Sequence, residues 1–360
     1  MTFARRRKGL SRLGERMRAG KEARVVAFGG SLTYDGYYLA SIARTLTVAY
    51  SNAVIETATR GLPGFGAERG VFRTRSVRDL NPDFVLVEFA WDDAHQPTMH
   101  VAEAAEGIVR QLRETDPDRD IAFVYFGARP GVMDESFARV VAKWESVADH
   151  YGIPSFDCNA LAESLVEQGS ALWFERWPGR RTWDERRPLA IFQGDSYHTL
   201  LGGTILGASV AQAMITMFNP ASLLTAAELP KPLHPNHYGD AVAVKASRLS
   251  GDGWIAGPLA DELAIKPIAV FFDELSAAER AGAGLRVPFN GRYATLWMLG
   301  SGGSITVKLD GRSVTFNLPA DDAPHAEALL NEDTNRNHVL EIEAATQPAV
   351  IAGLDVLGQV

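Results

Sequence analysis

Two textures in this sequence predict an α/β domain with a parallel sheet, followed by a C-terminal β-sandwich. The first is a regular alternation of short apolar runs and helical-period stretches from Ala23 to about Pro220. The second is a set of short alternating strands, separated by glycine-rich turns, after a proline-rich stretch. Between two of those strands sits Asp310-Gly311, a two-residue hairpin signal.

The apolar runs read as buried parallel strands at Val25–Phe28, Val54–Thr57, Phe84–Phe89 and Ile121–Phe126, with a weaker one at Ile153–Asp157. Helical patterns fill the gaps at Tyr37–Tyr50, Val101–Thr115, Ser136–Tyr151 and Thr199–Phe218; the first carries Leu39, Ile42, Ala43 and Leu46 on one face. Repeated β-α units place helices on both sheet faces, with the ligand crevice outside the carboxyl ends of the strands. Ser31, the Gly61–Gly66 loop and Ala90–Asp93 all follow strands, so they are expected at that edge. Asn219–Pro235 holds four prolines and reads as a linker. Strands then follow at Arg286–Phe289, Ala294–Met298, Ser304–Leu309, Ser313–Leu318, His338–Glu343 and Val350–Val356. The division read from this is a basic segment at 1–21, a catalytic domain at 22–218, a linker at 219–236 and a β-sandwich at 237–360.

Length and charge narrow the function. At 360 residues the chain exceeds one ordinary core. A net charge of −8 argues against a nucleic-acid partner. Eight of the first 21 residues are Lys or Arg, among them Arg5, Arg6, Arg7, Arg12 and Arg16. They suit a solvated, frayed helix start, or else an arm that touches an anionic surface. No apolar stretch follows them, so a secretory signal is not expected, and no transmembrane run is read. Cys158 is the sole cysteine, which rules out an intrachain disulfide and suits a reducing, cytoplasmic home.

The chemistry begins at Gly29-Gly30-Ser31. A strand-to-helix turn with small flanking residues can hold a hydroxyl above the sheet, where the next helix opens with free N–H groups. A serine nucleophile needs a base and a group that orients the base. Asp195 and His198, in a loop before the last helix of the domain, offer both. Acyl transfer also needs donors aimed at the developing oxyanion. The Ser31 N–H is one candidate, and a glycine of the Thr59–Gly66 loop is another. Each signal alone has a bland counterpart: an N-cap, a capping aspartate beside a structural histidine, a plain Gly/Pro loop.

Four blocks in order resemble the SGNH (GDSL-like) hydrolase family. They are GGSLT around Ser31, the glycine loop with Gly64 in the place of the oxyanion-hole glycine, VEFAWDD ending at Asp93, and DSYH with Asp195 and His198 as the dyad. Gly203 matches a glycine often found five residues after that histidine. The likeness runs from about Lys21 to Phe218. It implies a flavodoxin-like three-layer α/β/α fold and ester hydrolysis with neither metal nor cofactor.

One position departs from the pattern. The third block usually carries an asparagine that donates to the oxyanion, and here it is Asp92. Three outcomes stay open. Asp92 is held protonated and donates an O–H, or the hole has lost a donor, or Asp92 binds a cation or a substrate hydroxyl. Asp92, Asp93 and His95 have no established metal-ligand spacing, so no metal is expected.

Leu172–Arg187 crowds Trp173, Trp177 and Trp183 among five arginines, including Arg180, just before the catalytic loop. It reads equally as loop packing or as a lid on which indoles lie against sugar rings and arginines pair with anions. With Trp91 these residues form the candidate substrate-binding set. The stretch from Val287 to Gly311 resembles jelly-roll modules attached to carbohydrate esterases, although such a module is equally suited to dimerisation. The expectation is a serine esterase that removes a short acyl group, acetyl foremost, from a carbohydrate. The alternatives are transfer of that group to a sugar hydroxyl, or glycan binding by a catalytically impaired scaffold.

Overall fold

The computed structural model describes residues 3–96, 99–127, 134–174, 189–193, 197–218, 229–249, 251–264 and 271–360; at 134, 174, 189, 192, 193, 197, 198, 262 and 264 it describes the backbone alone. The chain forms two compact units, Met1–Gly239 and Asp240–Val360.

The first unit opens with β1 (Ala4–Arg5) and α1 (Ser11–Arg18), then β2 (Glu22–Gly29), α2 (Ser31–Asp35), α3 (Tyr37–Ala49) and β3 (Val54–Gly61). Next come α4 (Ala67–Gly70), α5 (Thr74–Arg78), β4 (Phe84–Glu88), α6 (Ala90–His95), α7 (Val101–Arg113) and β5 (Asp120–Tyr125). It finishes with α8 (Asp134–Tyr151), β6 (Ser155–Asp157), α9 (Cys158–Glu167), β7 (Ala171–Phe174), β8 (Leu189–Gln193), β9 (Tyr197–His198) and α10 (Leu200–Met217). The main sheet runs β1-β6-β5-β4-β2-β3, and all its strands are parallel except β1. Every residue of β4 and β5 is buried, as expected of strands covered on both faces. The strand order reverses at β2, so the crevice of this doubly wound sheet lies where β2 and β4 end. A small separate sheet joins β7, β8 and β9.

The basic first residues differ from the frayed end expected of them. β1 pairs antiparallel with β6, and α1 buries Leu13 and Met17. Arg7 bridges Glu145 and Asp149, each at 2.7 Å, and Arg12 and Arg16 reach Asp83 at 3.1 and 2.7 Å. The arginines meet acids that lie far away in sequence, which no local pattern could reveal.

Helices α3 and α10 pack in parallel along a glycine-lined seam. A Cβ on Gly203 would lie 2.7 Å from Tyr37 Cβ, and one on Gly207 would lie 2.3 Å from the Tyr38 carbonyl. Ser41 Oγ donates to the Thr204 carbonyl at 2.6 Å across the same seam. By length and composition α10 is apolar enough to cross a membrane; here it contributes Leu206, Val210, Ala211 and Met214 to the core. Thr199 caps it, accepting from Gly202 N–H at 2.8 Å.

The second unit contains β10 (Ala241–Lys245), β11 (Trp254–Pro258), β12 (Glu274–Ala278), β13 (Gly284–Ser301), β14 (Ser304–Leu309), β15 (Arg312–Asn317), β16 (Ala320–Thr346) and β17 (Val350–Gln359). All pair antiparallel in one sheet that curls around a shared core of Leu285, Val287, Leu296, Met298, Val307, Ile342 and Leu354. The runs read as Arg286–Phe289 and Ala294–Met298 are one strand, β13, with its register shifted between Gly291 and Tyr293. The shift interrupts the alternation and makes one strand look like two. At the predicted hairpin Asp310 and Gly311 have φ of 50° and 85°, as a type I′ turn requires, and Leu309 faces Arg312. Of the proline-rich stretch, 219–228 lie outside the described residues. Leu233 and His234 are held by Glu106, which accepts both backbone N–H groups at 2.6 and 2.8 Å.

Candidate active site

The paired glycines before Ser31 answer to two close approaches. A Cβ on Gly29 would lie 2.0 Å from the Glu88 carbonyl and 2.3 Å from Thr33 Oγ1. A Cβ on Gly30 would lie 1.8 Å from Asp92 Oδ2. Only glycine at both positions lets the end of β2, the turn after it and the end of β4 come this close. Gly30 then serves as the N-cap residue of α2 and Ser31 as its first residue, 7% exposed.

Asp92 sits directly on the backbone of the turn that carries Ser31. Its Oδ2 accepts the Ser31 N–H at 3.0 Å, and the Ser31 hydroxyl lies 3.3 Å from the same oxygen and 3.5 Å from Oδ1. The Gly64 N–H also donates to this carboxyl. Gly64 has φ +75°, so a side chain there would be strained, and Gln96 Nε2 donates to its carbonyl. The carboxyl of Asp92 is pushed up from its ordinary pKa by burial, against the pull of the Ser31 and Gly64 N–H groups and of His95.

The neighbouring acids have other tasks. Asp93 accepts the Ala67 N–H at 2.6 Å and the Trp144 indole N–H at 2.9 Å, tying the glycine loop to α8. Burial raises its pKa to about 7. Glu88 is fully buried and pushed well up, first by burial and then by the charge of Asp92. Its Oε2 lies 3.2 Å from Thr33 Oγ1, which lies 2.8 Å from Tyr38 OH, and its Oε1 has no hydrogen-bond partner. Glu88, its carboxyl pushed up by burial, thus braces the turn that carries Ser31. The VEFAWDD block contained Glu88, but only the fold shows it beneath Thr33. Asp92, Asp93 and His95 serve different partners, His95 Nδ1 lying 2.8 Å from the Trp91 carbonyl. Among the described residues no group of three or more His, Cys, Asp or Glu could hold a metal ion.

The backbone of His198 is in β9, not in the loop read from the sequence, and it pairs with Phe192 of β8. Because α3 and α10 run parallel, the turn bearing Ser31 and the strand bearing His198 lead into the same end of that helix pair. Asp195, Trp177, Arg180 and Trp183 lie outside the described residues. Trp173 is half-buried on β7. Trp91 is 6% exposed, its ring held by His95 at 4.1 Å and Phe137 at 6.4 Å, so it stiffens the wall behind Asp92 and offers little surface to a sugar.

No family model matches the sequence, and neither does any curated protein. Among solved structures, a two-domain esterase active on acetylated mannans is similar over 99% of both chains, with a TM-score of 0.70 and 17% identity. Its form co-crystallised with mannopentaose gives 0.70 and 18% over 99% of this chain and 96% of that one. The chain has the fold of a two-domain esterase. The parallel-sheet domain and the β-domain in sequence are those expected above, and at this identity the likeness is one of fold.

Proposed function

We propose that the chain is a serine esterase that removes acetyl groups from a neutral carbohydrate. One observation carries this reading: a nearly buried serine opens a helix at the switch point of the sheet, with its own N–H and that of Gly64 both turned to the carboxyl of Asp92. The two-domain fold supports it, since that fold is shared along the whole chain with an esterase active on acetylated mannans.

In this scheme Ser31 Oγ attacks the ester carbonyl while His198 takes its proton, and Asp195 orients the imidazole. The Ser31 and Gly64 N–H groups stabilise the oxyanion. His198 then returns the proton to the departing sugar oxygen. Water hydrolyses the acetyl-serine; a sugar hydroxyl in its place gives acetyl transfer. Asp92 must release the two N–H donors when the acyl oxygen arrives. Protonated, it loses the charge that would repel an oxyanion and gains an O–H to donate. Ionised, it competes for the same donors.

A second reading is a glycan-binding protein on a hydrolase scaffold. It is favoured by the same carboxyl, which fills the hole in the resting site. The two separate on 4-nitrophenyl acetate and an acetylated mannooligosaccharide, assayed from about pH 5 to 9 to span histidine titration. The esterase reading expects turnover that Ser31→Ala abolishes, together with labelling of Ser31 by a serine-directed phosphonate. Absence of both sinks it.

A further inference from the structure

Near Ser31 the described aromatic residues divide sharply. Trp91 is buried, whereas Tyr34 is 54% exposed and Tyr37 is 37% exposed. Tyr34 lies three residues after Ser31 on α2, hence on the same helix face one turn along. Its backbone is pressed against the end of β3, where a Cβ on Gly61 would lie 2.3 Å from Tyr34 Cα, at the start of the loop that carries Gly64. Tyr37 opens α3 and packs its Cβ over Gly203, in the first turns of α10, five residues after His198. Tyr34 is therefore rooted on the side of the Gly64 loop, and Tyr37 on the side of the His198 strand. Leu200, one turn before Gly203, is 67% exposed, and Asp35, between the two tyrosines in the chain, is exposed as well.

We propose that Tyr34 and Tyr37 form a stacking subsite for the sugar rings of an extended neutral glycan whose acetylated residue lies over Ser31. The inference rests on the esterase reading, which takes Ser31 as the place of the ester. A pyranose has an apolar C–H face and a polar hydroxyl edge, and a tyrosine matches both with a flat ring and a phenol. The exposed carboxylate of Asp35 between the two tyrosines disfavours an anionic polysaccharide. Among the described residues both tyrosines are exposed, whereas an aliphatic acyl chain gains most from an enclosed pocket.

The test uses the full-length protein. In a Ser31→Ala background, calorimetric affinity for an acetylated mannooligosaccharide is compared with and without Tyr34→Ala or Tyr37→Ala. Each is expected to weaken binding about threefold to tenfold, the range for a lost aromatic contact, while Tyr→Phe or Tyr→Trp restores most of it. In the Ser31-containing protein, the ratio of kcat/KM on the oligosaccharide to that on 4-nitrophenyl acetate falls by the same factor. Unchanged glycan affinity, or equal losses on both substrates, overturns the subsite; so does a loss confined to long-chain acyl esters. If the wild-type chain turns over no ester, the esterase reading fails on its own, and the calorimetric series still decides the tyrosines.

Discussion

Both units bury an aspartate against a tryptophan, and the comparison separates structural acids from the one acid that meets the candidate nucleophile. In the β-domain Asp355 accepts the Trp297 indole N–H at 2.7 Å. In the α/β domain Asp93 accepts that of Trp144 at 2.9 Å. Each pair pins a large ring in a core. Asp92, next to Asp93, takes its donors from the backbone of Ser31 and of a glycine loop. Asp93 and Glu106 take backbone N–H donors too, but neither takes one from Ser31. This contrast teaches that burial alone does not mark function; the identity of the donors does.

The most demanding test of the contrast is Asp92→Asn. The amide supplies a donor to the oxyanion and leaves no carboxylate to compete for the Ser31 and Gly64 N–H groups. A gain of about 10²-fold in kcat is expected on the alkaline side, the scale of one oxyanion-hole donor. Because burial raises the Asp92 pKa, the wild-type protein keeps its protonated form to higher pH than a free aspartate. Its activity then falls as pH climbs through that raised value, and the variant lacks the descending limb. A pH–rate profile of both proteins reads this directly. A loss at every pH would show instead that the carboxyl has a role the amide cannot fill.

Two glycines with equal clearance give the next test. A Cβ on Gly30 would lie 1.8 Å from Asp92 Oδ2, and one on Gly303 would lie 1.8 Å from the Pro348 carbonyl. Gly30→Ala is expected to lower kcat on 4-nitrophenyl acetate about 10²-fold through misplacement of the nucleophile by about 1 Å. Gly303→Ala is expected to lower the melting temperature of the β-domain with a much smaller kinetic effect. Equal kinetic losses would break the comparison.

The smallest effects concern stability. Trp144→Phe and Trp297→Phe each leave a buried carboxyl without one donor, at a cost of about 1–3 kcal/mol in urea unfolding. The pH dependence of the two domains should differ in sign. Asp93 and Asp120 are buried and raised from 3.8 to about 7, so they favour the fold below about pH 4 and withdraw that support as pH rises towards 7. In the β-domain Asp310 is held below its usual range by His338, and Glu332 by Arg336. Their support is present above the ordinary carboxylate pKa and is lost as pH falls through the depressed one. Amide exchange in β4 and β5 should therefore quicken from pH 4 to 7, after correction for its intrinsic rate, while that in β13 and β17 should not.

Much of this architecture was legible in the sequence because its cause is local. Runs such as Phe84–Val87 are apolar on both faces, and Asp310-Gly311 is one of the few pairs that suit a type I′ turn. What escaped the reading depends on residues far apart in the chain. Arg7 looks like a free cation until α8 brings Glu145 to it. Tyr37 reads as an ordinary helix residue and Tyr34 carries no signal of its own until Gly61 and Gly203 are found against them and both side chains are exposed. Glu88 looks like a strand terminus until Thr33 lies over it. Ser31 and the glycine loop were placed at the strand ends by topology alone, but the reach of Asp92 onto their N–H groups is a matter of ångströms that no pattern encodes.

The seam between α3 and α10 has a consequence for variation in this protein. Its tight contacts at Gly203 and Gly207 set the distance between two helices, and each helix follows a chain segment that bears a proposed reacting group. A single methyl added at Gly207, remote from any ester, would part the helices and shift one segment against the other. Turnover could then be slowed or retuned by residues that never meet a substrate.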